Sequence, residues 1–225
     1  MSAVPVSVSP PRRRLTAARR RRQLIEVALE TFAASGYAET TMEEIATAAG
    51  VTKPLLYQHF ASKRALYLEL LDDVTTRLVA ALEQAAGHEA NPRLKVEAGM
   101  RAYFRFALEN QAAMRMLYQA PEDEEIAEGL RSIEIAITDF LGPLIDADID
   151  DDHRRTLAVA VVGMTEGVTR EWLAEMQRPG SFSTKGALAE GDGSVVGAEA
   201  EAMVLAERVA NLAWGGLRGI RRSLS

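Results

Sequence analysis

The sequence predicts an all-α protein, a small three-helix head followed by a larger helical body. Three observations lead there. Apolar residues recur at helical spacing from about Arg20 to the end of the chain. Alternating β-branched runs of the kind that build strands are nearly absent. Gly, Pro, Ser and Thr fall where helices begin and end.

Taken in order, the first eleven residues, MSAVPVSVSPP, hold three prolines and no periodicity. With the arginines behind them they predict a disordered basic arm over residues 1–18. RRRQLIEVALETFAAS then forms a helix whose buried stripe is Leu24, Val27, Ala28 and Phe32, stopped by Gly36. Thr41 and Glu44 have capping-box spacing for the helix MEEIATAA, which ends at Gly50. Thr52 caps a third, short helix, and Pro54 sits in its first turn, where a missing N–H costs nothing. Ser62 caps a fourth helix reaching about Ala86. Further helices are expected near 92–109, 111–118, 123–141, 151–176 and 198–218, with a mobile Gly/Ser-rich loop at 178–197.

Composition excludes whole classes of chemistry. Without cysteine there are no disulfides, thiolate metal sites or cysteine nucleophiles, which fits a reducing, cytoplasmic setting. Arginines interrupt any apolar leader, so no signal peptide is expected. The longest near-apolar run, Leu157–Met164, is far short of the roughly 18–20 residues that span a bilayer, so no membrane partner is expected. Gly-rich phosphate loops and nucleophile elbows are missing, and His59 has no second ligand at i+3 or i+4. The chain is therefore not expected to be an enzyme or to hold a cofactor or metal.

The net charge of −6 hides an asymmetry: residues 1–64 carry ten Lys/Arg against five Asp/Glu, and the remainder sixteen against twenty-seven. A basic head on an acidic body points to a head that meets a polyanion. Two short helices joined by AGVT, with Gly50 at the corner, describe a helix-turn-helix over residues 41–60. Its second helix, opened by Pro54, would turn Thr52, Lys53, Leu55 and Gln58 toward base edges. Tyr57, His59 and Lys63 would reach phosphates, joined by Thr40 and Thr41 at the start of the first helix. Core-edge packing is the competing reading for Tyr57 and His59. For the arginine arm the choice lies between a solvated linker and phosphate or minor-groove contact.

With these residues in place, the stretch from about Arg19 to Leu71 resembles the DNA-binding domain of the TetR (TetR/AcrR-type) family of bacterial repressors. The matching pieces are Phe32, Gly36 and Tyr37 as F-x-x-x-G-Y, Thr40, Thr41 and Ile45 as T-T-x-x-x-I, A-G-V-T from Ala49 to Thr52, and L-Y-x-H-F-x-S-K from Leu56 to Lys63. The resemblance implies a head over residues 19–78 and a ligand-binding and dimerisation body over 79–225. It also implies a homodimer on a palindromic double-stranded operator, with Thr41, Thr52, Lys53, Tyr57, His59 and Lys63 where family members touch DNA. Many members have small residues where this chain has Pro54 and Leu55. Leu55 cannot hydrogen-bond a base, though it can meet a thymine methyl.

In the body, Ala160, Gly163 and Gly167 on one long helix and Ala206, Ala210 and Ala213 on another have the spacing of close helix packing. Either they build a four-helix bundle between subunits or they pack within one. Met100, Tyr103, Phe104, Leu108, Met114, Leu117, Tyr118, Phe140, Met164, Trp172 and Met176 would line an adaptable apolar cavity or form an ordinary core. Glu166 and Arg170, one turn apart, would either pair or orient the polar end of a ligand. The reading is a sequence-specific transcriptional regulator, a repressor released by an apolar or amphipathic small-molecule effector. The alternatives are a ligand-independent DNA-binding dimer and, remotely, a helical enzyme.

Overall fold

The computed structural model describes residues 16–118, 123–145, 149–178 and 193–218. Regular structure among them is helical throughout. The outer part of the N-terminal arm (1–15) and most of the predicted Gly/Ser-rich loop (179–192) lie outside the described residues.

The head contains α1 (Ala17–Glu39), α2 (Met42–Ala48) and α3 (Lys53–His59). Helix α1 begins earlier than predicted because Thr16 accepts a hydrogen bond from the Arg19 N–H. Ala17 and Ala18, expected in the arm, therefore belong to the helix, ahead of Arg20–Arg22 that were expected in it. Gly36 breaks α1 as expected, at φ 80°. The capping box between Thr41 and Glu44 is formed on both sides. At the other end of α2, Gly50 sits at φ 64°, with its N–H on the Thr47 carbonyl and the Val51 N–H on the Ala46 carbonyl. That pair of bonds is a Schellman stop, and it sets the corner between α2 and α3. Thr52 occupies the N-cap position of α3 but makes no capping bond, so its hydroxyl is not the helix-starting group the sequence suggested.

Helix α4 (Lys63–Gly87) is the structural spine. At 1.5 Å per residue it is about 37 Å long. Its first half gives Leu66, Tyr67, Leu70 and Leu71 to the head core, beside Leu24, Phe32, Ile45 and Leu56. Its second half gives Val74, Leu78 and Leu82 to the body core. The body adds α5 (Pro92–Glu109), α6 (Gln111–Tyr118), α7 (Glu124–Leu141), α8 (Asp151–Met176) and α9 (Gly193–Arg218), with one 3₁₀ turn at Gly142–Leu144. Helix α5 lies between α4 and α9.

The two cores are not separated at residue 78. Met116 from α6 and Ile126 from α7, both fully buried, complete the head core. The small residues also divide. Ala206, Ala210 and Ala213 are buried within the subunit, the first two in the core that α5 and α9 share. Ala160 and Gly163 are exposed on α8 beside Val159, and α9 exposes Val204 and Leu212.

Candidate DNA-binding face and effector cavity

Helix α3 is seven residues long and would be unstable alone. It is held by Leu56 and Phe60, which are buried in the head core. Burying that stripe leaves Thr52, Lys53, Pro54, Tyr57 and Gln58 exposed, with Leu55 and His59 half-buried. Tyr57 is 46% exposed, so its ring and hydroxyl are open to a partner. Lys53 makes only a long, exposed 3.5 Å contact with Glu43 of α2. Such a pair stabilises little and leaves the ammonium free to exchange partners.

Three predicted DNA contacts are engaged elsewhere. Thr40 is fully buried, and its hydroxyl donates to the Gly36 carbonyl at 2.7 Å. Thr41 is exposed, but its hydroxyl and N–H both donate to the Glu44 carboxylate, at 2.9 and 2.8 Å. The same two bonds hold the Glu44 carboxyl below its ordinary range. Lys63 directs its ammonium at the carbonyls of Tyr37 (2.8 Å), Ala38 (3.3 Å) and Thr40 (2.9 Å) and lies 4.4 Å from the Tyr37 ring centre. An ammonium has three donors, and all three are in use. Lys63 thus clamps the elbow between α1 and α2. Arg21 of α1 forms an ion pair with Glu69 and stacks 4.7 Å over Phe60.

The body holds a cavity of about 270 Å³ among α4, α5, α6, α7, α8 and the inner face of α9. Of the predicted lining residues, Met100, Tyr103, Met114, Leu117, Tyr118, Phe140 and Glu166 border it. Phe104, Met164, Trp172 and Met176 belong to the surrounding core, and Leu108 borders a separate surface groove beside α1. Arg170 is exposed and does not reach the cavity. Among the lining residues not predicted are Leu130, Arg131, Glu134 and Ile137 of α7 and Thr165 of α8. Their signal was present. Leu130, Glu134, Ile137 and Leu141 share one helix face, so Glu134 interrupts an apolar stripe.

The cavity has one polar corner. The Tyr103 and Tyr118 hydroxyls lie 2.8 Å apart. Burial pushes the Tyr103 phenol up to about 12, and raises that of Tyr118 as well. Glu166 is raised by burial first and by the charge of Glu134 second, while Arg170 draws it the other way.

The sequence profile of bacterial regulatory proteins of the tetR family matches residues 24–70. The HTH-type transcriptional activator FasR of Mycolicibacterium smegmatis is 34% identical over 164 residues, 71% of this chain and 75% of its own length. The chain belongs to the TetR family. It is accordingly a DNA-binding transcriptional regulator. Among solved structures, a TetR-like regulator from Rhodococcus sp. RHA1 superposes with a TM-score of 0.70 at 24% identity, covering 92% of this chain and all of its own. FadR from Bacillus subtilis, determined in complex with stearoyl-CoA, gives 0.68 at 16% identity, covering 89% of this chain and 99% of its own. At these identities the likeness is one of fold. Among the described residues of the regulator no helix is long and apolar enough to cross a membrane.

Proposed function

We propose that the regulator binds a palindromic double-stranded operator as a homodimer in the cytoplasm and represses transcription until an apolar or amphipathic small molecule fills the body cavity. The observation that carries this reading is a physical connection. Helix α6 supplies Met114, Leu117 and Tyr118 to the cavity wall, and its Met116 carbonyl accepts a 3.1 Å hydrogen bond from Tyr67 inside the head core. A ligand that moves α6 acts directly on the packing that holds the head. The apolar strips around Val159 on α8 and Val204 and Leu212 on α9 support dimerisation through these helices.

Two recognition helices on one operator must sit about 34–36 Å apart, or a multiple of that. A ligand releases the DNA only by binding the mismatched spacing better than the matched one. Within each head, Lys53, Gln58 and Leu55 meet bases, while Tyr57, Thr52 and His59 position the backbone. FadR, determined with stearoyl-CoA, supports a body of this fold taking a ligand with a long apolar part.

The test is a mobility-shift titration of the regulator's own upstream region against scrambled DNA, over a range of salt, with the mass of the complex measured. The expected result is a dimer whose affinity falls steeply with salt and depends on sequence. Salt-independent binding, or equal binding to scrambled DNA, would overturn the proposal.

A further inference from the structure

The cavity is apolar along most of its wall, and its charged groups are unevenly balanced. Glu134, exposed at the rim, and Glu166, half-buried, reach it from α7 and α8; neither forms a hydrogen bond or ion pair with another described residue, although the charge of Arg170 acts on Glu166. The one lining cation, Arg131, is exposed and turned to Glu128, to which it donates through Nε at 3.1 Å and again through Nη2. Within electrostatic reach of Glu166 lies the Tyr103–Tyr118 hydroxyl pair, whose ionisation the charge of Glu166 opposes. Burial makes the charged form of Glu166 costly, and the cost is offset when a donor or a cation enters beside it, with Glu134 adding negative charge at the rim. An anionic head beside the tyrosine pair would instead meet the like charge of Glu166.

Resting on the reading of this cavity as the effector site, we infer that the effector is an amphiphilic amine: an apolar chain or ring with a cationic, hydrogen-bond-donating head seated between Glu134 and Glu166 beside the Tyr103–Tyr118 pair. The head donates to the Glu166 carboxylate and to whichever tyrosine oxygen is free to accept. The tail lies along Leu78, Met100, Ile137 and Val162. At about 270 Å³ the cavity is just below the ~300–1,000 Å³ of pockets that hold drug-sized ligands, so the tail is short or single.

The experiment compares three probes of matched chain and different head, decylamine, decanol and decanoate, each below its micellar concentration, on the full-length dimer at neutral pH. Melting temperature and calorimetric affinity are read for the parent, Glu166→Gln and Glu134→Gln, with circular dichroism confirming the fold. Decylamine is expected to raise the melting temperature with concentration, as a ligand of the folded state does. Its affinity should drop roughly tenfold in Glu166→Gln, and decanol's should change less than about twofold, since only the amine makes the charge-assisted bond. Decanoate or decanol binding as tightly as the amine, or amine binding unchanged in both variants, overturns the head-group assignment while the cavity remains an effector site. No shift with any of the three overturns the effector cavity itself and the inference with it.

Discussion

The Tyr67 hydroxyl donates to the Met116 carbonyl at 3.1 Å, tying α4 of the head to α6 of the body inside one core. The ring is fully buried and packs edge-on, at 5.0 Å between centres, against both Phe32 and Tyr37. Burial pushes its phenol up to about 12, so it is a neutral donor at any physiological pH. Tyr67→Phe keeps the ring contacts and removes only the bond. Denaturant titration should show a loss of about 0.5–1.5 kcal/mol. If α6 transmits ligand occupancy, the same variant should also reduce the change in operator affinity that an effector produces.

The two lysines of the helix-turn-helix should behave differently. Lys63→Met retains the aliphatic stem but leaves the carbonyls of Tyr37, Ala38 and Thr40 without their shared donor. Bonds to a charged donor contribute about 1.5–3 kcal/mol each, partly shared here, so the loss is expected at about 1.5–3 kcal/mol in total. Thermal melting measures it, and operator binding should weaken on every sequence alike.

Lys53→Ala should barely change the melting temperature, because its contact with Glu43 is long and exposed. Its effect should appear in sequence selection. A binding assay across a randomised operator library should show relaxed preference at one position, with a cost of about 1–3 kcal/mol for the preferred site.

Acid should loosen the junction of head and body through Asp123. Its carboxylate accepts from Arg64 at 2.7 Å and caps α7 by accepting from the Ile126 N–H. The Arg64 hydrogen bond first, and the cap after it, hold this carboxyl below its ordinary range. A depressed carboxyl contributes stability above its unfolded value and loses it as pH falls through the folded one. The window therefore opens below about pH 4. Asn caps nearly as well as Asp. Asp123→Asn should then flatten the acid limb of a stability-against-pH curve while α7 stays helical by circular dichroism.

Glu166 predicts the opposite slope. Burial and the Glu134 charge raise it, so the unfolded chain releases its proton at a lower pH than the folded one. Stability contributed by its neutral form is full in acid and declines as pH climbs from the ordinary glutamate value through the raised one. Glu166→Gln should melt higher than the parent at neutral pH, and the difference should disappear near pH 3–4. Melting curves at both pH values check this without any ligand.

Much of the head was legible because its signals are local. The Thr41–Glu44 capping box, the Gly50 corner and Pro54 in the first turn of α3 each involve residues a few positions apart. Those spacings also carried the family resemblance. The Thr16 cap was missed because no apolar residue at helical spacing precedes Leu24 closely enough to extend the pattern back to Ala17.

What the sequence alone determined was the order of helices, several of their caps, the helix-turn-helix and the apolar character of the body. These follow from backbone hydrogen bonding and side-chain period, which act within a turn or two. Only the tertiary structure decided which polar groups remain available. Lys63 finds its carbonyls 23 to 26 residues away, and Tyr67 reaches a carbonyl 49 residues on. Glu134 and Glu166 meet only because α7 and α8 enclose one cavity. A side chain's donors are assigned by the partners that folding brings near, and at that range no spacing rule announces them.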